Sequence, residues 1–234
     1  MTREPPARSR RRRPPAREPR RSIVVVSEGT RTEPAYLRSV RRLFQCTSVT
    51  VLGKGEDPEA LVRLAGSLRD DRSVRCKHRI AAYQVFDEAW AVFDVEQRPS
   101  RMPVIRRALA VAARSDVKVA VSNPCFEYWL LLHVSAHSAA IASCREAQML
   151  LRRRLSAYDK SSPPEPTVKT IGKAATRALA IRKRHVENAG DGNPSTNCDQ
   201  LVAALAGAAD PEAPAGLPTI EAYDSSLLRL MCGL

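Results

Sequence analysis

The sequence predicts an α/β fold: a parallel sheet of about four strands with helices on both faces, followed by a C-terminal helical extension. Three observations lead there. Short apolar, often β-branched runs recur at Ile23 to Val26, Val49 to Leu52, Ala89 to Phe93 and Val117 to Val121. Each is followed by a stretch with apolar residues at helical spacing, and strand–helix alternation of this kind builds parallel sheets covered on both sides. Beyond residue 140 only helical spacing persists.

Each element has a local reason. Ile23-Val24-Val25-Val26 reads as a buried strand that stops at Ser27-Glu28-Gly29-Thr30. The next helix has Pro34 near its first position and Tyr36, Leu37, Val40, Leu43 and Phe44 on one face. The second strand ends at Gly53-Lys54-Gly55. Asp57-Pro58 then supplies a cap and a first-turn proline for a helix reaching about Leu68. Residues 70–85 are polar and weakly patterned. The third strand ends in Asp94-Val95-Glu96, and a helix from about Pro103 to Ala113 follows. After the fourth strand, Asn123 is expected to cap a very apolar helix begun by Pro124. Ser143-Cys144-Arg145-Glu146 is a capping box opening a helix to about Tyr158. Another helix is expected near residues 168–187, and Asn193-Pro194-Ser195-Thr196 is expected to open the last one.

These elements divide the chain into four parts. Residues 1–22 form an Arg/Pro-rich basic arm, expected to be disordered. Residues 23–140 form the α/β domain, 141–208 a helical extension packed on it, and 209–234 a loosely structured tail. The 234 residues are 44% hydrophobic but only 5% aromatic, so the core is expected to be aliphatic. The net charge is +13, and about half the excess comes from nine Arg against two Glu in residues 1–21. Such a balance favours polyanionic partners, DNA or RNA. The longest apolar stretch, Tyr128 to Val134, is too short to span a bilayer, and no secretory h-region follows the arginines. The six cysteines form no C-x-x-C pair and read as reduced thiols of a cytoplasmic protein.

In open parallel sheets, sites form beyond the carboxyl ends of the strands. Glu28 follows the first strand, Asp94 and Glu96 follow the third, and Glu127 lies in the first turn after the fourth. Like charges gathered at one edge call for a cation, and carboxylate oxygens suit Mg²⁺ or Mn²⁺. A divalent ion there points to phosphoryl chemistry. Lys54, at the end of the second strand, is placed to neutralise developing charge. Lys169, Lys173 and Arg177, with Arg152 to Arg154 and Arg182 to Arg184, are candidates for a phosphate-tracking surface.

Several stretches resemble one family. Ser27-Glu28-Gly29-Thr30-Arg31-Thr32-Glu33-Pro34 resembles the E-G-x-T-E opening of RloB-like proteins, which are linked to abortive-infection and restriction loci. Val92-Phe93-Asp94-Val95-Glu96 is similar to their F-D-x-D segment. Ser122 to His133 is similar to their S-N-P-x-F-E-x-W-L-L-L-H stretch, the most specific of the three. The resemblance runs over about residues 22–206. It implies a Toprim-like fold and a Mg²⁺-dependent nuclease of an anti-phage defence or abortive-infection system. Glu28 would be the first acid and Asp94 with Glu96 the pair. Glu127 and Ser122 would complete the site, and an ATPase or restriction-system partner is implied. The departure is Glu96, where the family has Asp.

Other readings start from the same residues. A catalytically degenerate Toprim-like domain would bind nucleic acid or a partner protein without cleaving. Strand transfer of the topoisomerase kind would need a nucleophilic Tyr on another domain. A phosphatase of the haloacid type places its D-x-D after the first strand, not the third. His133 and His137, at helical spacing with Cys125 and Cys144 nearby, offer zinc ligands.

Overall fold

Alternating side chains of short Val- and Ala-rich strands have to be buried on both faces, and the sheet does this with two separate cores. A computed structural model of the chain describes residues 21–96, 101–188, 190–208 and 226–232. Residues 1–20 of the arm expected over residues 1–22, and most of the expected tail, lie outside the described residues.

Five strands form one sheet: β1 (Ile23–Ser27), β2 (Val49–Gly53), β3 (Glu88–Asp94), β4 (Lys118–Asn123) and β5 (Ser195–Thr196), in the order β2-β1-β3-β4-β5. The first four are parallel, with Ser27 beside Gly53 and Val92, and Asp94 beside Ser122. The fifth, β5, runs antiparallel to β4 and pairs Thr196 with Ser122. The segment expected to open the last helix is therefore a strand. Helix α8 (Cys198–Gly207) begins only after it.

Alternate strand residues Ile23, Val25, Val49, Val51, Trp90, Val92 and Ala120 face one core. It is covered by α1 (Thr32–Leu43), α5 (Phe126–Val134), α6 (Cys144–Arg154), α7 (Val168–Glu187) and α8. Val24, Val26, Ala91, Phe93, Val119 and Val121 face the other. That side is covered by α2 (Pro58–Asp70), α4 (Met102–Ser115) and the small helix α9 (Ser226–Met231), which lies within the segment expected to be a loose tail. The weakly patterned stretch contains the six-residue helix α3 (Arg72–Lys77).

The caps are mostly those the sequence indicates. Asp57 accepts the amides of Glu59 and Ala60 at the start of α2, a contact worth about 1 kcal/mol. Ser143 accepts the Glu146 amide, but Glu146 reaches back to Ala142 rather than to its own cap residue. Asn123 does not cap α5. Its amide group is buried and donates to the carbonyls of Gly192 and Met231, while Cys125 occupies the cap position. Gly53 is needed for close approach: a Cβ there would lie 2.7 Å from both the Gly29 carbonyl oxygen and Pro34 Cγ. The end of β2 thus sits directly against the β1–α1 turn.

The helical extension is joined to the sheet by polar contacts as well as by the core. Asn197 accepts the Val121 amide and donates to the Val119 carbonyl, at 2.7 and 2.9 Å. Arg182 of α7 is buried and binds both carboxylate oxygens of Asp199 at 2.7 Å. It is an internal strut and does not belong to the phosphate-tracking surface expected from its sequence neighbours. Among the described residues, no helix is long and apolar enough to cross a membrane.

Candidate metal centre

Strand register decides which acids meet. Because β1 and β3 are neighbours, the residue after β1 and the last residue of β3 lie side by side. Glu28 Oε2 accepts the backbone amide of Asp94 at 3.2 Å. Asp94 Oδ1 accepts the amide of Phe126 at 3.0 Å, which ties the end of β3 to the first turn of α5. The next residue of α5 is Glu127. Its carboxylate is buried and accepts from Tyr158 Oη at 3.1 Å and Gln148 Nε2 at 3.2 Å, with Lys160 Nζ at 3.8 Å.

Glu33 completes the group. It sits in the first turn of α1, and its buried carboxylate folds back over the β1–α1 turn to accept the Gly29 amide at 3.0 Å. A Cβ at position 29 would overlap that carboxylate, so a larger residue there would make the Glu33 side chain move. Glu33 was not among the candidate ligands read from the sequence. It is the second Glu of the E-G-x-T-E resemblance, and helix periodicity alone would have given it no role.

The electrostatics follow from this crowding. Burial, and then the carboxylates of Glu33 and Glu127, hold Asp94 well above the ordinary carboxylate range. Burial also raises Glu33, with smaller contributions from Glu127 and Glu28 against the lowering effect of backbone hydrogen bonds. The neighbouring carboxylates thus disfavour the ionised forms of Asp94 and Glu33, and a bound cation would relieve that directly. Glu28, Asp94, Glu127 and Glu33 are oxygen donors of the kind Mg²⁺ and Mn²⁺ take, but among the described residues the donor atoms that converge within 4.8 Å are those of Asp94, Cys125 and Cys144, and the glutamates are not in that group.

Glu96 takes a different position. Its backbone has φ 54°, and its amide donates to the Pro124 carbonyl. Its carboxylate lies 3.9 Å from Arg101 Nη1. Arg101 is the cation that faces Glu28 and Glu96. It also donates to Glu28 Oε2 and, through Nε and Nη2, to the Asp94 carbonyl at 3.1 and 3.0 Å. The sequence reading proposed Lys54 for this part. Lys54 Nζ instead contacts His78 Nδ1 at 2.8 Å, beyond the C-terminus of α3.

The other sequence candidates separate in the same way. Ser122 lies beside Asp94 in the sheet, but its hydroxyl is buried against Thr196 Oγ1 at 2.9 Å and Cys198 Sγ at 3.5 Å. Arg177 donates to the Leu132 carbonyl at 2.6 Å and so holds α5 to α7. Lys169 and Lys173 are exposed on α7. The rival His–Cys zinc set does not form, and His133 is a packed, hydrogen-bonded core histidine: its Nε2 is engaged by the Tyr36 hydroxyl at 3.0 Å, with Trp129 edge-on to its ring. Asp94, not a histidine, clusters with Cys125 and Cys144.

One family model, described as RloB-like protein, matches residues 23–205. Neither a curated protein nor a solved structure gives a match. The matched region runs from the first residue of β1 to α8, and the five-stranded, mostly parallel sheet is consistent with a Toprim-like α/β fold.

Proposed function

The chain belongs to the RloB-like protein family, and from that premise we propose that it is a Mg²⁺- or Mn²⁺-dependent nuclease. It would hydrolyse phosphodiester bonds of DNA or RNA in the cytoplasm, as part of an anti-phage defence or abortive-infection system with an ATPase or restriction partner. The observation supporting this most directly is Asp94: a carboxyl group at the end of a central strand, pushed up by burial and by Glu33 and Glu127. A group in that condition is suited to receive a cation.

Glu28, Asp94 and Glu127 would hold the ion, with Glu96 and Glu33 beside them. When bound, a divalent ion supplies polarisation of a phosphoryl oxygen and a water of lowered pKa. The protein supplies position. The Phe126 amide fixes the rotation of the Asp94 carboxylate, and Tyr158 and Gln148 fix that of Glu127. Arg101, half-buried among the acids, is the cation nearest to where phosphate charge would develop. Lys169 and Lys173 would hold the backbone of the nucleic acid away from the reacting bond.

One observation favours a second reading. Arg101 already neutralises Glu28 and reaches Glu96, as expected of a degenerate Toprim-like domain that binds nucleic acid or a partner without cutting. The experiment is a panel of single- and double-stranded DNA and RNA with Mg²⁺ or Mn²⁺, run beside Asp94→Ala. Cleavage by the wild type that disappears in the variant, with binding retained, supports the nuclease. Binding without cleavage in both supports the degenerate domain.

A further inference from the structure

Cys125 and Cys144 play no part in hard-ion chemistry, yet they stand beside it. Cys125 is the cap residue of α5, Cys144 the first residue of α6, and Asp94 the last of β3. Three elements therefore each deliver one donor to the same point. A carboxylate oxygen of Asp94 and the two Sγ atoms all lie within 4.8 Å of one another. The two thiols are hydrogen-bonded together. Cys144 Sγ also reaches the Pro124 carbonyl at 3.7 Å, so it is turned toward the start of α5. Cys144 and Asp94 are half-buried rather than sealed in the core.

We infer that Asp94, Cys125 and Cys144 form a binding site for a thiophilic divalent cation of the Zn²⁺ class. Thiolates select such ions over Mg²⁺. Bonds of about 2.0–2.3 Å to a tetrahedral centre set its donors roughly 3.3–3.8 Å apart, within the span these atoms already have. Three protein ligands leave a fourth position for water or a substrate oxygen, the arrangement of reactive rather than structural zinc sites. The hydrogen bond from Phe126 to Asp94 orients the carboxylate ligand. Binding displaces one proton from each thiol to solvent, which balances the two new metal–sulfur bonds. Because Asp94 is shared, soft and hard ions exclude each other from this edge. The inference rests on ligand placement and stands apart from the nuclease reading.

The test uses the full chain, reduced and stripped of metal, titrated with Co²⁺ in phosphate-free buffer. The expected result is a thiolate-to-cobalt charge-transfer band with intense tetrahedral visible bands, bleached by one equivalent of Zn²⁺. Cys125→Ser and Cys144→Ser should each weaken Zn²⁺ binding, measured by chelator competition, by at least about 100-fold, since loss of a mere outer partner already costs roughly 10–100-fold. Cys76→Ser, at an exposed cysteine of α3, should leave the spectrum unchanged. Absence of the band in the wild type overturns the inference. So does a band that survives both serine variants or is lost with Cys76. Hydrolysis is assayed separately, on metal-stripped protein given Mg²⁺ alone: hydrolysis there with no cobalt band removes the zinc site alone, and a cobalt band with no such hydrolysis removes the nuclease alone.

Discussion

Glu28 accepts the backbone amide of Asp94 through Oε2, so the acid after β1 is keyed to the acid that ends β3 by the main chain itself. The contact depends on β1 and β3 being adjacent in the sheet and in register, not on side-chain rotamers alone. Mutations at this edge should therefore change ion binding and catalysis while leaving the sheet intact.

Asp94→Asn removes a donor without changing shape. Nucleic-acid cleavage should fall by about 10³-fold, the scale on which loss of one charge-handling group acts. Circular dichroism should be unchanged, because Asn can still accept the Phe126 amide. Cleavage within tenfold of wild type would dismiss Asp94 as a ligand.

Arg101→Gln takes away the guanidinium that pairs with Glu28 and Glu96. Mn²⁺ should then bind about tenfold more tightly by calorimetry, within the usual 1–3 kcal/mol range of coupling between two sites. Unchanged or weaker Mn²⁺ binding would mean that the arginine supports the acids and does not compete for them.

On α7 the exposed lysines and the engaged arginine should behave differently. Lys169→Glu with Lys173→Glu should weaken nucleic-acid binding and lower the slope of log affinity against log salt by about one per lysine. Arg177→Ala should instead lower the melting temperature, since that side chain holds the Leu132 carbonyl. A salt slope unaltered by the lysine changes would put the nucleic-acid track elsewhere.

His133 provides a pH test at a residue outside the candidate ligand set. Burial, with a smaller effect from Arg177, depresses it from 6.5 to about 4. The folded state holds it neutral while the unfolded state takes up a proton below pH 6.5, so stability is complete above that pH and declines as the pH falls toward 4. The loss is on the order of 3 kcal/mol. His133→Gln should flatten this part of a melting-temperature profile while lowering its plateau, because the contact with Tyr36 is altered. A profile as steep as the wild type's would assign the decline to other groups.

Asp199→Asn should destabilise the fold by about 3–5 kcal/mol, since it leaves the buried Arg182 guanidinium without its counter-charge. Urea denaturation measures this directly. A change below 1 kcal/mol would show that the pair is dispensable.

Much of this architecture was legible because the strands are continuous apolar runs, two of which end at acids. Glu28, Asp94 and Glu127 could be placed at one edge from the sequence because the alternation of elements fixes where each strand ends. Arg101 was not legible: it lies five residues past Glu96, where no periodicity says which way the chain returns. Lys54 sat at the right strand end but found His78 as a nearer partner. The two-residue strand β5 is too short for any alternation, and Asn193-Pro194 looks like a helix start. Only pairing with β4 reveals it as a strand. Glu33 shows the opposite weakness, since a first-turn glutamate is common enough for dipole reasons to pass unnoticed.

The antiparallel pairing of β5 with β4 also bears on how the polypeptide matures. The piece that closes this flank is translated some seventy residues after the strand it covers. Until the ribosome has released it, Ser122 and the open rim of β4 lack Thr196, and Asn197 cannot reach Val119 and Val121. A product cut short before residue 195 would therefore carry every acid of the edge on a sheet with one bare margin, prone to cling to other chains.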